Sequence, residues 1–136
     1  MFKSIDRFFI LLISGSIMTI FQLAFGELDR TLLVLFICML IDLITGMLVG
    51  AINHKLSSKK CFTGICKKLF ILFYVIIANQ IDILLDIHYV RIGVCYMYII
   101  NDILSIIENG SVLGVPIPAP IKKALEILNE EKEELI

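Results

Sequence analysis

Charge is scarce in this 136-residue sequence: Asp, Glu, Lys and Arg make up 18% of it, against about a quarter in a soluble domain. That shortage argues against an ordinary soluble fold. The net charge of −1 gives no reason to expect nucleic acid or an acidic substrate as a partner. Of the four cysteines, Cys38 and Cys95 lie inside apolar runs, where a thiol behaves as a small hydrophobe. Cys61 and Cys66 form C-x4-C with only His54 nearby, which is not a zinc-ligand spacing, so no metal is expected. His54 and His88 fall in separate loops. No serine or cysteine has a base and an orienting acid beside it, and no glycine-rich loop follows a strand. The expectation is a protein that is not an enzyme and carries no cofactor.

What is abundant is apolar surface. Hydrophobic residues make up 59% of the chain, the mean hydropathy is +0.95, and the charges collect in short clusters between long apolar runs. These features predict a small all-α integral membrane protein. Four runs are candidate spans: residues 8–25, 31–52, 69–85 and 92–107. The last two are shorter and more polar, so either four spans or a partly inserted final pair fits them. Lysine and arginine alternate across the loops. Lys3 and Arg7 precede the first run, Arg30 stands alone after it, and Lys55, Lys59, Lys60, Lys67 and Lys68 follow the second. Arg91 stands alone again before the fourth, and Lys122, Lys123 and Lys132 are in the tail. By the positive-inside rule both termini are cytoplasmic. The basic loop also suits anionic lipid headgroups. A competing reading takes Lys3, Arg7, the first run and "AFG" at residues 24–26 as a cleavable secretory signal, which would leave three spans.

Residues 1–118 therefore form the expected membrane domain and 119–136 a charged amphipathic tail. In the tail, Ile121, Leu125, Leu128 and Leu135 make one apolar stripe, with Lys132 where the remaining heptad residue would stand. Pro120 suits a first helical turn. The stripe fits either a helix lying on its own protein or membrane, or self-association.

Asp42 sits near the middle of the second run, where a carboxylate costs roughly 2.5–3.5 kcal/mol on insertion scales. Asn79, Gln80 and Asp82 interrupt the third run, and Asn101 and Asp102 the fourth. Such groups hold a bundle together by interhelical hydrogen bonds, or become lumenal when monomers assemble. A proton relay is disfavoured, because the runs contain no lysine, arginine or histidine to pair with the acids. Gly46 and Gly50 form a GxxxG on the span of Asp42, a spacing that lets helices approach closely. Ser14, Gly15 and Ser16 make a second small patch.

Three stretches, "DLITG", "KLSSKKCFTGICKKL" and "NDILSIIENGSVLGVPIPAPIKKALEIL", resemble in order and spacing the toxin secretion/phage lysis holin family. That family comprises phage holins and holin-like proteins of large clostridial toxin clusters. The resemblance runs from about Leu35 to Leu128. Asp42, Thr45 and Gly46 match the span-two motif. Ser57 or Ser58, Gly64 and Lys68 match the loop. Asn101, Ser105, Glu108, Asn109, Gly114, Pro116 and Pro118 match the final block, where Asp102 replaces the family's usual glutamate. The resemblance implies homo-oligomers that open timed, non-selective lesions through which an endolysin or toxin leaves as cargo. It also makes Asp42, Thr45, Gly46, Gly50, Asn79, Gln80, Asp82, Asn101, Asp102, Ser105 and Glu108 candidates for assembly or pore lining. The competing functions are a small oligomeric channel or transporter subunit, and a scaffold that recruits a partner through its tail.

Overall fold

The computed structural model describes residues 2–134. They form five helices and, among the described residues, no strand: α1 (Phe2–Phe25), α2 (Arg30–Ile52), α3 (Ser58–Leu85), α4 (Val90–Val112) and α5 (Ala119–Glu134). The first four are each long and apolar enough to cross a membrane. The all-α expectation is met, and the third and fourth helices reach well beyond the apolar runs that marked them. With 28 residues α3 measures about 42 Å, and α4 with 23 residues about 34 Å, so both have the length of full crossings.

Local chemistry sets the boundaries. Gly26 ends α1 with φ +80. Asp29 opens α2, accepting from the Leu32 amide at 2.9 Å, and Ser57 opens α3, accepting from the Lys60 amide at 3.3 Å. These are ordinary side-chain N-caps. The Ser57 cap starts the third helix inside the basic stretch, which places Lys59, Lys60, Lys67 and Lys68 on a helix and not in a loop. Pro120 falls in the first turn of α5, as expected.

α4 packs along both α2 and α3, whereas α2 and α3 barely meet. Leu32, Leu35 and Met39 of α2, Val75 of α3, and Cys95 and Ile99 of α4 form the core, with Cys38 beside them. Cys38 and Cys95 thus act as the small hydrophobes the sequence suggested. α1 joins through its last turns, where Phe25 lies 6.3 Å from the ring of Phe36. Elsewhere its apolar side chains, Phe8, Ile10 and Leu11 among them, are exposed. Ser14 and Ser16 donate to carbonyls of their own helix, and nothing packs on Gly15.

A small core inside a broad apolar surface is the economy of a bundle whose solvent is lipid, where packing and polar contacts hold helices together. In the tail stripe Ile121 is exposed and Leu125 half-buried. Leu135 and the side chains of Leu128 and Lys132 lie outside the described residues.

Candidate functional site: two polar clusters in an apolar bundle

The first cluster joins three helices. Asp42 and Asp102 stand at the same distance from the starts of their helices, Arg30 and Val90, so parallel packing of α2 and α4 brings them level. Lys68 of α3 reaches both. Its Nζ lies 2.7 Å from Asp42 Oδ2 and donates to Asp102 Oδ1. The side chains of Lys68 and Asp42 are 16% exposed and that of Asp102 only 6%. This corrects the expectation that no basic group partners the intramembrane acids. Lys68 is the residue just before the third apolar run, and the extended α3 carries it into the bundle.

One ammonium shared by two carboxylates leaves the cluster short of donors. Asp102 Oδ2 is buried without a hydrogen bond. A buried charge is stable only when paired and hydrogen-bonded, so this junction is incompletely compensated.

Beside it, Thr45 donates to the Asp42 carbonyl at 3.1 Å and accepts from Asn109 Nδ2 at 3.0 Å, tying α2 to α4. Ser105 borders a cleft of about 460 Å³ that opens between α2 and α3. Gly46 and Gly50 line the same cleft. A Cβ built on Gly46 would have Asn109 Nδ2 nearest, at 3.9 Å. One on Gly50 would lie 3.3 Å from Leu56 Cδ1 and 3.7 Å from its Cα, so the tight approach at this GxxxG is made by the segment leading into α3. Asn101 and Glu108 are exposed and make no side-chain hydrogen bond among the described residues.

The second cluster sits at the opposite ends of the same helices. Both oxygens of Asp82 accept backbone amides, Val90 at 3.0 Å and Arg91 at 2.9 Å. A side chain of α3 thus caps α4, whose own N-cap residue, Tyr89, supplies no side-chain acceptor. Arg91 Nη2 pairs with Asp29 Oδ2 at 2.6 Å. Burial pushes the Asp29 carboxyl up, but the hydrogen bonds from Arg91 and the Leu32 amide, with the guanidinium charge, hold it below its ordinary value.

Asn79 donates to the carbonyls of Ala24 at 3.0 Å and Leu23 at 3.3 Å, and Gln80 to Leu23 at 2.9 Å. These are the unpaired carbonyls that end α1. Gly26 is needed twice over, for its positive φ and because a Cβ there would lie 2.7 Å from Asn79 Oδ1.

Of the candidate residues, Asp42, Thr45, Gly46, Gly50, Asp102 and Ser105 gather at the first cluster and Asn79, Gln80 and Asp82 at the second. Sequence reasoning missed Lys68, Arg91 and Asn109 as partners, and Gly26 as a contact.

A model of the bacteriophage holin family matches residues 19–130. An uncharacterized 14.9 kDa protein in the nagH 3′ region of Clostridium perfringens is 39% identical over 119 residues, covering 86% of this chain and 90% of that one. An uncharacterized protein of Listeria monocytogenes is 38% identical over 116 residues, covering 85% and 83%. A probable holin of Bacillus phage phi105 is 33% identical over 111 residues, covering 81% and 82%. No solved structure matches the chain. With four apolar helices it is a multi-pass membrane protein, and it belongs to the bacteriophage holin family.

Proposed function

We propose that this chain is a holin that accumulates in the bacterial cytoplasmic membrane with both termini inside. It then assembles with copies of itself into timed, non-selective lesions that release an endolysin or a toxin. The observation that carries the reading is the Lys68 junction, taken with membership of a holin family. In the monomer the junction hides polar groups that a lipid-facing surface could not carry. Because one ammonium serves two acids, the junction is held less firmly than a fully paired one, and an assembly that supplies water or further donors competes for it. Asp42, Thr45, Ser105 and the glycines at 46 and 50 then line the contact between copies or the lumen. Folded cargo needs no recognition surface in such a hole, and the reading involves no enzymatic step.

The test is co-expression with a cytoplasmic cell-wall hydrolase in a host that has no holin of its own. Abrupt lysis after a delay, requiring both proteins, is the expected result. Ion leakage with the hydrolase retained would replace the lesion by a small channel. Asp42→Asn is expected to change the time of lysis or the distribution of oligomers at equal expression while leaving insertion intact. Unaltered timing and oligomers would remove Asp42 from the mechanism.

A further inference from the structure

The cleft between α2 and α3 exists because α4 packs against both helices while they splay from each other. At about 460 Å³ it lies within the range of small-molecule sites. Glycine keeps it open. A Cβ built on Gly64 would have Leu43 Cδ1 nearest at 3.8 Å, and one on Gly46 would have Asn109 Nδ2 at 3.9 Å, so side chains there would fill space without clashing.

Its lining has two characters. Leu43, Met47, Leu56 and Ile71 make an apolar wall, while Lys55, Lys60 and Lys67 bring three ammonium groups. Lys68, deeper in, is engaged by Asp42 and Asp102. The other three lysines are exposed and form no ion pair among the described residues. Lys55 and Lys60 stand where α3 begins, at the end of the bundle that meets the polar face of a bilayer, and Lys67 lies about two turns further along the helix.

We propose that this cleft is a binding site for an anionic phospholipid, with its phosphate among Lys55, Lys60 and Lys67 and its acyl chain along the apolar wall. Charge complementarity decides the occupant. A zwitterionic lipid gives three unpaired lysines no net charge to meet, and a free inorganic anion has no use for the apolar wall. Basic pockets between membrane helices are known sites of this kind. The site needs only a bilayer and does not depend on lesion formation.

The test reconstitutes the full chain in vesicles of equimolar phosphatidylcholine and phosphatidylglycerol, extracts it in mild detergent, and measures retained lipid per protein by mass spectrometry. Phosphatidylglycerol is expected to be enriched over phosphatidylcholine. The triple variant Lys55→Gln, Lys60→Gln, Lys67→Gln loses that enrichment, by a factor of up to about five for each lysine. Gly64→Leu, which fills the cleft and leaves every charge in place, loses it too. Lys122→Gln with Lys123→Gln, on α5 away from the cleft, retains it.

Circular dichroism melting of each variant confirms that it is folded. Absence of enrichment in the native chain, or equal loss from the α5 lysine pair, would overturn the proposal in favour of none or of general surface adsorption. So would persistence of the enrichment in the triple variant or in Gly64→Leu. Displacement of the lipid by inorganic phosphate would make the site one for a free anion and also overturn it.

Discussion

Four acids are drawn in among the helices, two at each polar cluster, and their surroundings differ. At the Arg91 cluster each carboxylate has donors of its own: Asp29 receives Arg91 and the Leu32 amide, and Asp82 receives two amides of α4. At the Lys68 cluster Asp42 and Asp102 divide one ammonium, and an oxygen of Asp102 is left without a partner. The first arrangement fixes helix ends in place. The second ties together three helix middles and falls short of full compensation. Arg91 Nη1 is also buried without a hydrogen bond, so the contrast lies in the acids. At the Arg91 clasp every carboxylate oxygen has a donor, while the cluster with a carboxylate short of one borders the open cleft.

The sharpest way to break that comparison is to remove the two cations in turn. Lys68→Met leaves two buried carboxylates unpaired and should destabilise the bundle by about 3–5 kcal/mol. Arg91→Met, against the partly exposed Asp29, should cost about 1 kcal/mol. Denaturation of the purified protein in detergent reads both. Adding Asp42→Asn and Asp102→Asn to the Lys68→Met chain should recover most of the loss, since the unpaired charge is then gone. Equal losses at the two cations would mean that the clusters do not differ as described.

Glycines sharpen it next. Gly26→Ala forces a Cβ into a positive-φ position against Asn79 Oδ1 and should cost about 1–3 kcal/mol. Gly64→Ala, beside the cleft, gains helix propensity and should be neutral or stabilising by up to about 1 kcal/mol. At the Arg91 cluster backbone and side chain are locked together, whereas beside the cleft there is room.

Removing the cap contributed by Asp82 comes third. Asp82→Ala uncovers two amides of α4 and should cost about 1–2 kcal/mol, with Asp82→Asn intermediate because it keeps one acceptor. Hydrogen exchange at Val90 and Arg91 should speed up in the same order. Unchanged exchange would show that the fold does not need this cap.

The helices were legible because lipid imposes a crude rule: an apolar run long enough to cross reads directly from the chain. The family resemblance was legible for the related reason that its motifs are local. The clusters were not, because their partners are far apart in sequence. Asn79 and Gln80 look like blemishes in a span until the end of α1 lies against them, 55 residues away for Asn79 and Ala24. Gly26, one of the residues that suggested a cleavage site, proves to be a packing position. Lys68 was assigned to a loop because hydropathy penalises a lysine whatever faces it. Only the Ser57 cap, which starts α3 early, and the level placement of Asp42 and Asp102 turn that lysine into a partner. Asp42 raised the right question from sequence alone, but the answer needed a cation the runs were thought to lack.

The smallest effect separates the clusters by pH. Asp29 lies outside the membrane-spanning helices, and its folded carboxyl titrates below the ordinary value of 3.8 because the opposing donors outweigh its burial. A depressed acid contributes stability that is fully present above that ordinary value and is lost as pH falls through the folded one. Mild acid below the ordinary aspartate range should therefore begin to loosen the Arg91 cluster. Asp29→Asn should remove this part of the acid dependence, leaving a chain slightly weaker near neutrality and less sensitive below. Chemical shifts of the Arg91 side chain, followed through the acid range in detergent, would register the change. If they move identically in the native chain and in Asp29→Asn, the ion pair does not hold Arg91, and the clasp rests on Asp82 alone.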